Sequence, residues 1–251
     1  MYVNSATISD EFVEASQDQL KLAFIAAVVL SLVVPRLPFG RQILYPFALL
    51  STWVHELGHG IAAIIAGGQF NRLEVYSNLG GTAFSSGVQS GMRRAFVSAG
   101  GLVGPAVVGG IIIIAGSREE TAQYVLAAVA GSVLLSAVLV LRNQFGFVAM
   151  TAIGLLLGLV AWKAPVLAKL FVAQLIGIQF CLACWGTLDY MFTKDFVRDG
   201  YVINSDTQNI AEELVLPYWF WAACVALISA IILIGSFYFA WLRPELTPYT
   251  P

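Results

Sequence analysis

Seven apolar runs, residues 22–34, 44–66, 95–115, 121–141, 145–164, 166–192 and 217–242, occupy most of the chain. Six of them reach the ~20 residues that an α-helix needs to cross a hydrocarbon layer about 30 Å thick; run 22–34 is shorter and needs its flanks or a tilt. Barrel-forming strands would show short segments of alternating hydrophobicity, and none of these runs alternates. Apolar residues make up 59% and charged residues 11% of the sequence, against roughly 45–50% and about 25% in ordinary soluble domains. The expected fold is therefore all-α: a polytopic transmembrane helix bundle of about seven spans, in an integral, multi-pass membrane protein whose main solvent is the lipid bilayer.

The expected organisation is a polar N-terminal segment (1–21), a single transmembrane domain (22–243) and a short tail (244–251). The N-terminal segment holds Asp10, Glu11, Glu14 and Asp18 and lacks the basic start and early apolar core of a secretory signal. Cys181, Cys184 and Cys224 all fall in apolar runs, which suits buried thiols better than a disulfide framework. A formal charge of −2 without any Lys/Arg cluster speaks against nucleic-acid binding. The basic residues fall almost evenly on the two sides of a seven-span arrangement, so the positive-inside rule sets no orientation. Nothing in the sequence specifies an oligomeric state.

Two connections exceed a bare turn. Segment 67–94 contains β-prone residues Leu73 to Tyr76 and Thr82 to Phe84 around Ser77-Asn78-Leu79-Gly80-Gly81, which predicts a short β-hairpin directly after the second span. Segment 193–216 holds Lys194, Asp195, Arg198, Asp199, Asp206, Glu212 and Glu213, and Ser205 to Glu213 reads as the start of a short capped helix.

Inside the second apolar run stands His55-Glu56-Leu57-Gly58-His59. Residues four apart share a helix face, so His55 and His59 can offer two imidazoles to one ion, with Glu56 beside it as a general base. Zinc takes neutral imidazole nitrogens and acidifies water enough for hydrolysis near neutral pH. These are the only two histidines in the chain. One ionisable residue in a spanning helix costs on the order of 2.5–3.5 kcal/mol, so three within a turn call for a compensating partner, which Zn2+ supplies. The bland alternative is a set of polar residues lining a wet cavity. Gly58, Gly60, Gly67 and Gly68 read as small residues that allow close helix packing.

A catalytic zinc usually has three protein ligands, and no histidine remains. Asp189, the carboxylate within the sixth apolar run, is the favoured third ligand; its alternative role is a helix-end carboxylate at the membrane surface. Asp206 is the rival, with a helix N-cap as its alternative role. Cys181 and Cys184 are weaker candidates.

The HExxH helix, the β-like stretch after it and the Leu188-Asp189 pair in a later span resemble the site-2 protease class of intramembrane zinc metalloproteases. Ile43-Leu44-Tyr45-Pro46-Phe47, Gly101 to Pro105, Arg142-Asn143-Gln144-Phe145-Gly146, Ser205-Asp206 and Trp219 look like its compact seven-helix branch. The resemblance implies zinc ligands at His55, His59 and Asp189 and a general base at Glu56. Tyr190 stands where better-studied members have Gly, and their upstream Asn-Pro element is missing here. Asn143 is a candidate oxyanion donor or a turn residue. The implied activity is a zinc-dependent metalloendopeptidase that cuts a membrane-protein substrate in or near its transmembrane segment. The alternative is a non-proteolytic membrane protein that uses the same metal fold to bind or traffic others. Metal transport would need ionisable residues on several helices.

Overall fold

The computed structural model describes residues 19, 21–198 and 200–242; the expected N-terminal segment up to residue 18 and the tail 244–251 lie outside them. A helix over residues 21–33 (α1) is followed by a proline-led turn, Val34–Arg36, and the short α2, Gly40–Ile43. The motif helix α3, Tyr45–Ile65, begins with Pro46 in its first turn, where a missing N–H costs nothing. It ends in a paired C-terminal cap: Gly67, at φ 81°, donates to the Ile64 carbonyl and Gly68 to that of Ala63. Gly67 is thus a left-handed cap, not the packing residue its sequence context suggests.

Among the described residues, five helices are long and apolar enough to cross a membrane: α4 (Gly91–Ala115), α5 (Glu119–Leu139), α6 (Gln144–Lys163), α7 (Val166–Gly186) and α10 (Tyr218–Phe237), the last continuing helically to Leu242. The all-α, polytopic part of the expectation holds, while the count of about seven spans is not confirmed: runs 22–34 and 44–66 are the two outside these five. The described part of α1 covers only residues 21–33, about 20 Å of rise. Helix α3 has 21 residues, but the polar side chains of the motif itself lower its hydropathy.

Helix α4 lies at the centre, packed against α3, α7 and α10, while α5 pairs with α6. Small residues permit these approaches. A Cβ on Gly58 would meet the Gly100 carbonyl at 2.4 Å, and one on Gly109 would meet that of Gly177 at 2.6 Å. With lipid as apolar as the helices, such van der Waals closeness replaces the hydrophobic drive of a soluble core.

The predicted hairpin is present and longer than expected: β1 (Gln69–Val75) runs antiparallel to β2 (Gly81–Ser86). Its β1 side is anchored to the α5–α6 turn, where Leu73 N–H donates to Val140 O at 2.8 Å and Arg142 N–H to Leu73 O at 3.0 Å. Asn143 completes the anchor by accepting from Val75 N–H at 3.1 Å and donating to Val75 O at 2.6 Å. Both ends of its amide thus help to hold the hairpin, the turn-residue role that the sequence also allows it.

A second hairpin, β3 (Asp195–Arg198) with β4 (Tyr201–Asn204), precedes α9 (Asp206–Glu213). The sequence reading missed it, although Asp199-Gly200 between two β-prone tetrapeptides is a strong turn signal. Between α7 and β3 lies one further turn of helix, α8 (Leu188–Met191).

Candidate metal centre

Helix α3 carries His55 and His59 one turn apart, with their Nε2 atoms 3.1 Å from each other. The His59 Nδ1 lies 2.8 Å from the Val97 carbonyl on α4; donating there fixes the ring's tautomer and leaves Nε2 as a free lone pair. Gly101 is what lets α4 pass so near. A Cβ at that position would stand 2.2 Å from the His59 ring.

The third member of the cluster is Asp206. Its Oδ2 lies 3.4 Å from His55 Nε2 and 3.3 Å from His59 Nε2. His55, His59 and Asp206 are the group among the described residues whose donor atoms could converge on one metal ion. The expected third ligand, Asp189, is not brought to the histidines. The reason is local: α7 stops at Gly186, Thr187 makes a turn, and α8 leaves Asp189 exposed.

Asp206 is free for this position because its neighbour takes the capping role. Ser205 is the N-cap of α9 and accepts from Gln208 N–H at 3.2 Å, while its own hydroxyl donates to Thr193 O at 2.6 Å. Thr207 donates to Met191 O at 2.6 Å, docking the start of α9 onto α8. From α4, Arg94 reaches Glu212 at 2.8 Å and Glu213 at 3.4 Å and holds the other end of α9.

Tyr190, the residue that departs from the family pattern, binds Asp206 twice over. Its hydroxyl donates to Asp206 Oδ2 at 3.1 Å and accepts from the Asp206 amide at 3.1 Å. Burial, with the adjacent carboxylate, pushes the Tyr190 phenol up, so it remains a donor.

Glu56 is buried beside this cluster under β2, where the Ala83 amide offers it a hydrogen bond. Gly81 makes room for it, since a Cβ there would lie 2.5 Å from Glu56 Cγ. His55 and Glu56 open onto a cavity of about 650 Å³ whose walls come from α3, the β1–β2 turn, α4, α7, Tyr190 and the start of the second hairpin.

The sequence model of the peptidase M50B-like family matches residues 22–236. The chain belongs to the peptidase M50B-like family. Membership agrees with the site-2 protease resemblance and, with five spanning-length apolar helices, makes the chain an integral multi-pass membrane protein. No curated protein and no solved structure matches it significantly. The matched stretch of this M50B-like chain contains the motif helix, both hairpins and α9, hence every residue of the cluster.

The donor set passes a simple test of fit for zinc. Two imidazole nitrogens and one carboxylate oxygen form a recognised catalytic ligand set, and donors ~2.0–2.1 Å from a tetrahedral ion stand roughly 3.3 Å apart. The three edges here are 3.1, 3.3 and 3.4 Å.

Proposed function

We propose that this M50B-like protein is a zinc-dependent intramembrane metalloprotease that hydrolyses peptide bonds in or near the transmembrane segments of other membrane proteins. The observation that carries this is the convergence of His55, His59 and Asp206 at zinc-like separations, next to a buried Glu56 and a cavity large enough for a stretch of polypeptide.

In this reading His55, His59 and Asp206 would hold the ion, which would supply Lewis acidity toward water and the scissile carbonyl. Glu56 takes the proton from the attacking water as the C–O bond forms, then delivers it to the amide nitrogen as the C–N bond breaks. Val97 keeps His59 in the ligating tautomer, and Tyr190 keeps Asp206 turned toward the histidines. The paired hairpin β1–β2 lies over the site, where an extended substrate strand can be held by main-chain hydrogen bonds with little demand on its side chains.

The test is cleavage of a panel of transmembrane peptides by the purified protein in detergent or nanodiscs. A zinc chelator should abolish cleavage, and added zinc should restore it; cleavage that survives complete metal removal overturns the proposal. Tyr190→Phe should keep the ring's packing and lose the hydroxyl's bond to Asp206. Its zinc affinity is expected to fall about 10–100-fold, as for other groups that orient a ligand, measured by competition with a chromogenic chelator.

A further inference from the structure

Helix α7 turns one face to the cavity: Gln179, Leu182, Ala183 and Gly186 follow at spacings of three and four, and all line it. The Gln179 Nε2 is buried and has no hydrogen-bond partner in the protein. Native structures hold few such groups, because a buried donor left unpaired forfeits its hydration without recompense. Among the described residues, the other buried side-chain atoms in this condition, on Ser31, Gln174, Ser229 and Trp241, do not line the cavity.

The hydroxyls along the same walls are already engaged. Ser51 donates to Phe47 O at 3.0 Å, Thr52 to Leu79 O at 2.8 Å and Thr187 to Ala183 O at 3.2 Å. Gln179 therefore lines the candidate active site and carries an unpaired donor just beneath that wall. Unwinding a membrane helix to expose a peptide bond strips main-chain carbonyls of their i+4 donors, and the hydrocarbon layer offers no water to replace them. A neutral amide N–H on the cavity wall meets that need without burying a charge.

We propose that Gln179 is a positioning residue whose Nε2–H donates to a main-chain carbonyl of the substrate's unwound membrane segment, an assignment that rests on the intramembrane-peptidase reading. Gln179 stands two helical turns, about 10 Å, from the Gly186 end of α7. It belongs to neither the His55–His59–Asp206 group nor the general base, so its loss acts on substrate binding.

The experiment uses the full chain, zinc-loaded, with a transmembrane peptide that the wild type cleaves. Gln179→Leu and the unbranched Gln179→Met should each raise KM about tenfold with kcat within twofold and zinc content unchanged. Replacing peptide amides one at a time by esters, which weakens the carbonyl acceptor, supplies the second arm. One ester position should cost the wild type several-fold in KM and cost Gln179→Leu nothing further. An unchanged KM in both variants, or ester penalties equal in wild type and variant, overturns the assignment while leaving the peptidase reading intact. Absence of any peptide cleavage by the wild type overturns both.

Discussion

Glu56→Gln is expected to lower kcat for cleavage of a transmembrane peptide by about 10²–10⁴-fold, the range typical of losing a general acid–base, while bound zinc stays at the wild-type level. The substitution keeps the side chain's size, so the tight space beneath Gly81 remains filled, but it removes the group that takes the proton from water. Glu56 does not belong to the His55–His59–Asp206 group, so retention of metal is part of the expected result. Metal analysis and initial rates on the same preparation check both halves. Full zinc in both proteins with cleavage by neither would favour the non-proteolytic alternative, in which the metal fold binds other membrane proteins without cutting them.

Much of the fold was legible because lipid makes helices obligatory. Each of the seven apolar runs contains a helix, and Ser77 to Gly81 predicted the first hairpin from turn chemistry. The count of spans was less legible. In α3 the residues that matter chemically also depress the hydropathy by which a span is recognised, and run 22–34 is too short for the question to be settled by length. The second hairpin is less legible because the charges of segment 193–216 obscure the Asp199-Gly200 turn signal in the sequence between Phe196-Val197 and Tyr201-Val202.

The site divides in the same way. His55, Glu56 and His59 lie within one helical turn, so local periodicity alone places them together. The third carboxylate depends on where a later loop folds back, and no local rule reports that. Asp189 was favoured because it lies in an apolar run, yet the helix breaks at Thr187 and leaves it exposed. Asp206 ranks second in the sequence because an N-cap role explains it equally well, but Ser205, one residue earlier, takes that role and frees it. Tyr190, noted only as a departure from a pattern, is the side chain that holds Asp206 in place.

The assignment of Asp206 leads to the second large effect. Asp206→Ala removes one of the three donors and leaves two imidazoles, so zinc affinity should fall by more than the 10–100-fold typical of losing an orienting group, and peptide cleavage should disappear with the metal. Asp189→Ala changes an exposed side chain outside the cluster and should leave both as they are. Charge is lost in both variants, so the pair separates a ligand from a nearby acid. The decisive measurement is the zinc-to-protein ratio of the two, purified side by side and dialysed against the same buffered zinc. The account predicts near-stoichiometric zinc in Asp189→Ala and little in Asp206→Ala. Zinc retained in Asp206→Ala and lost from Asp189→Ala would contradict it.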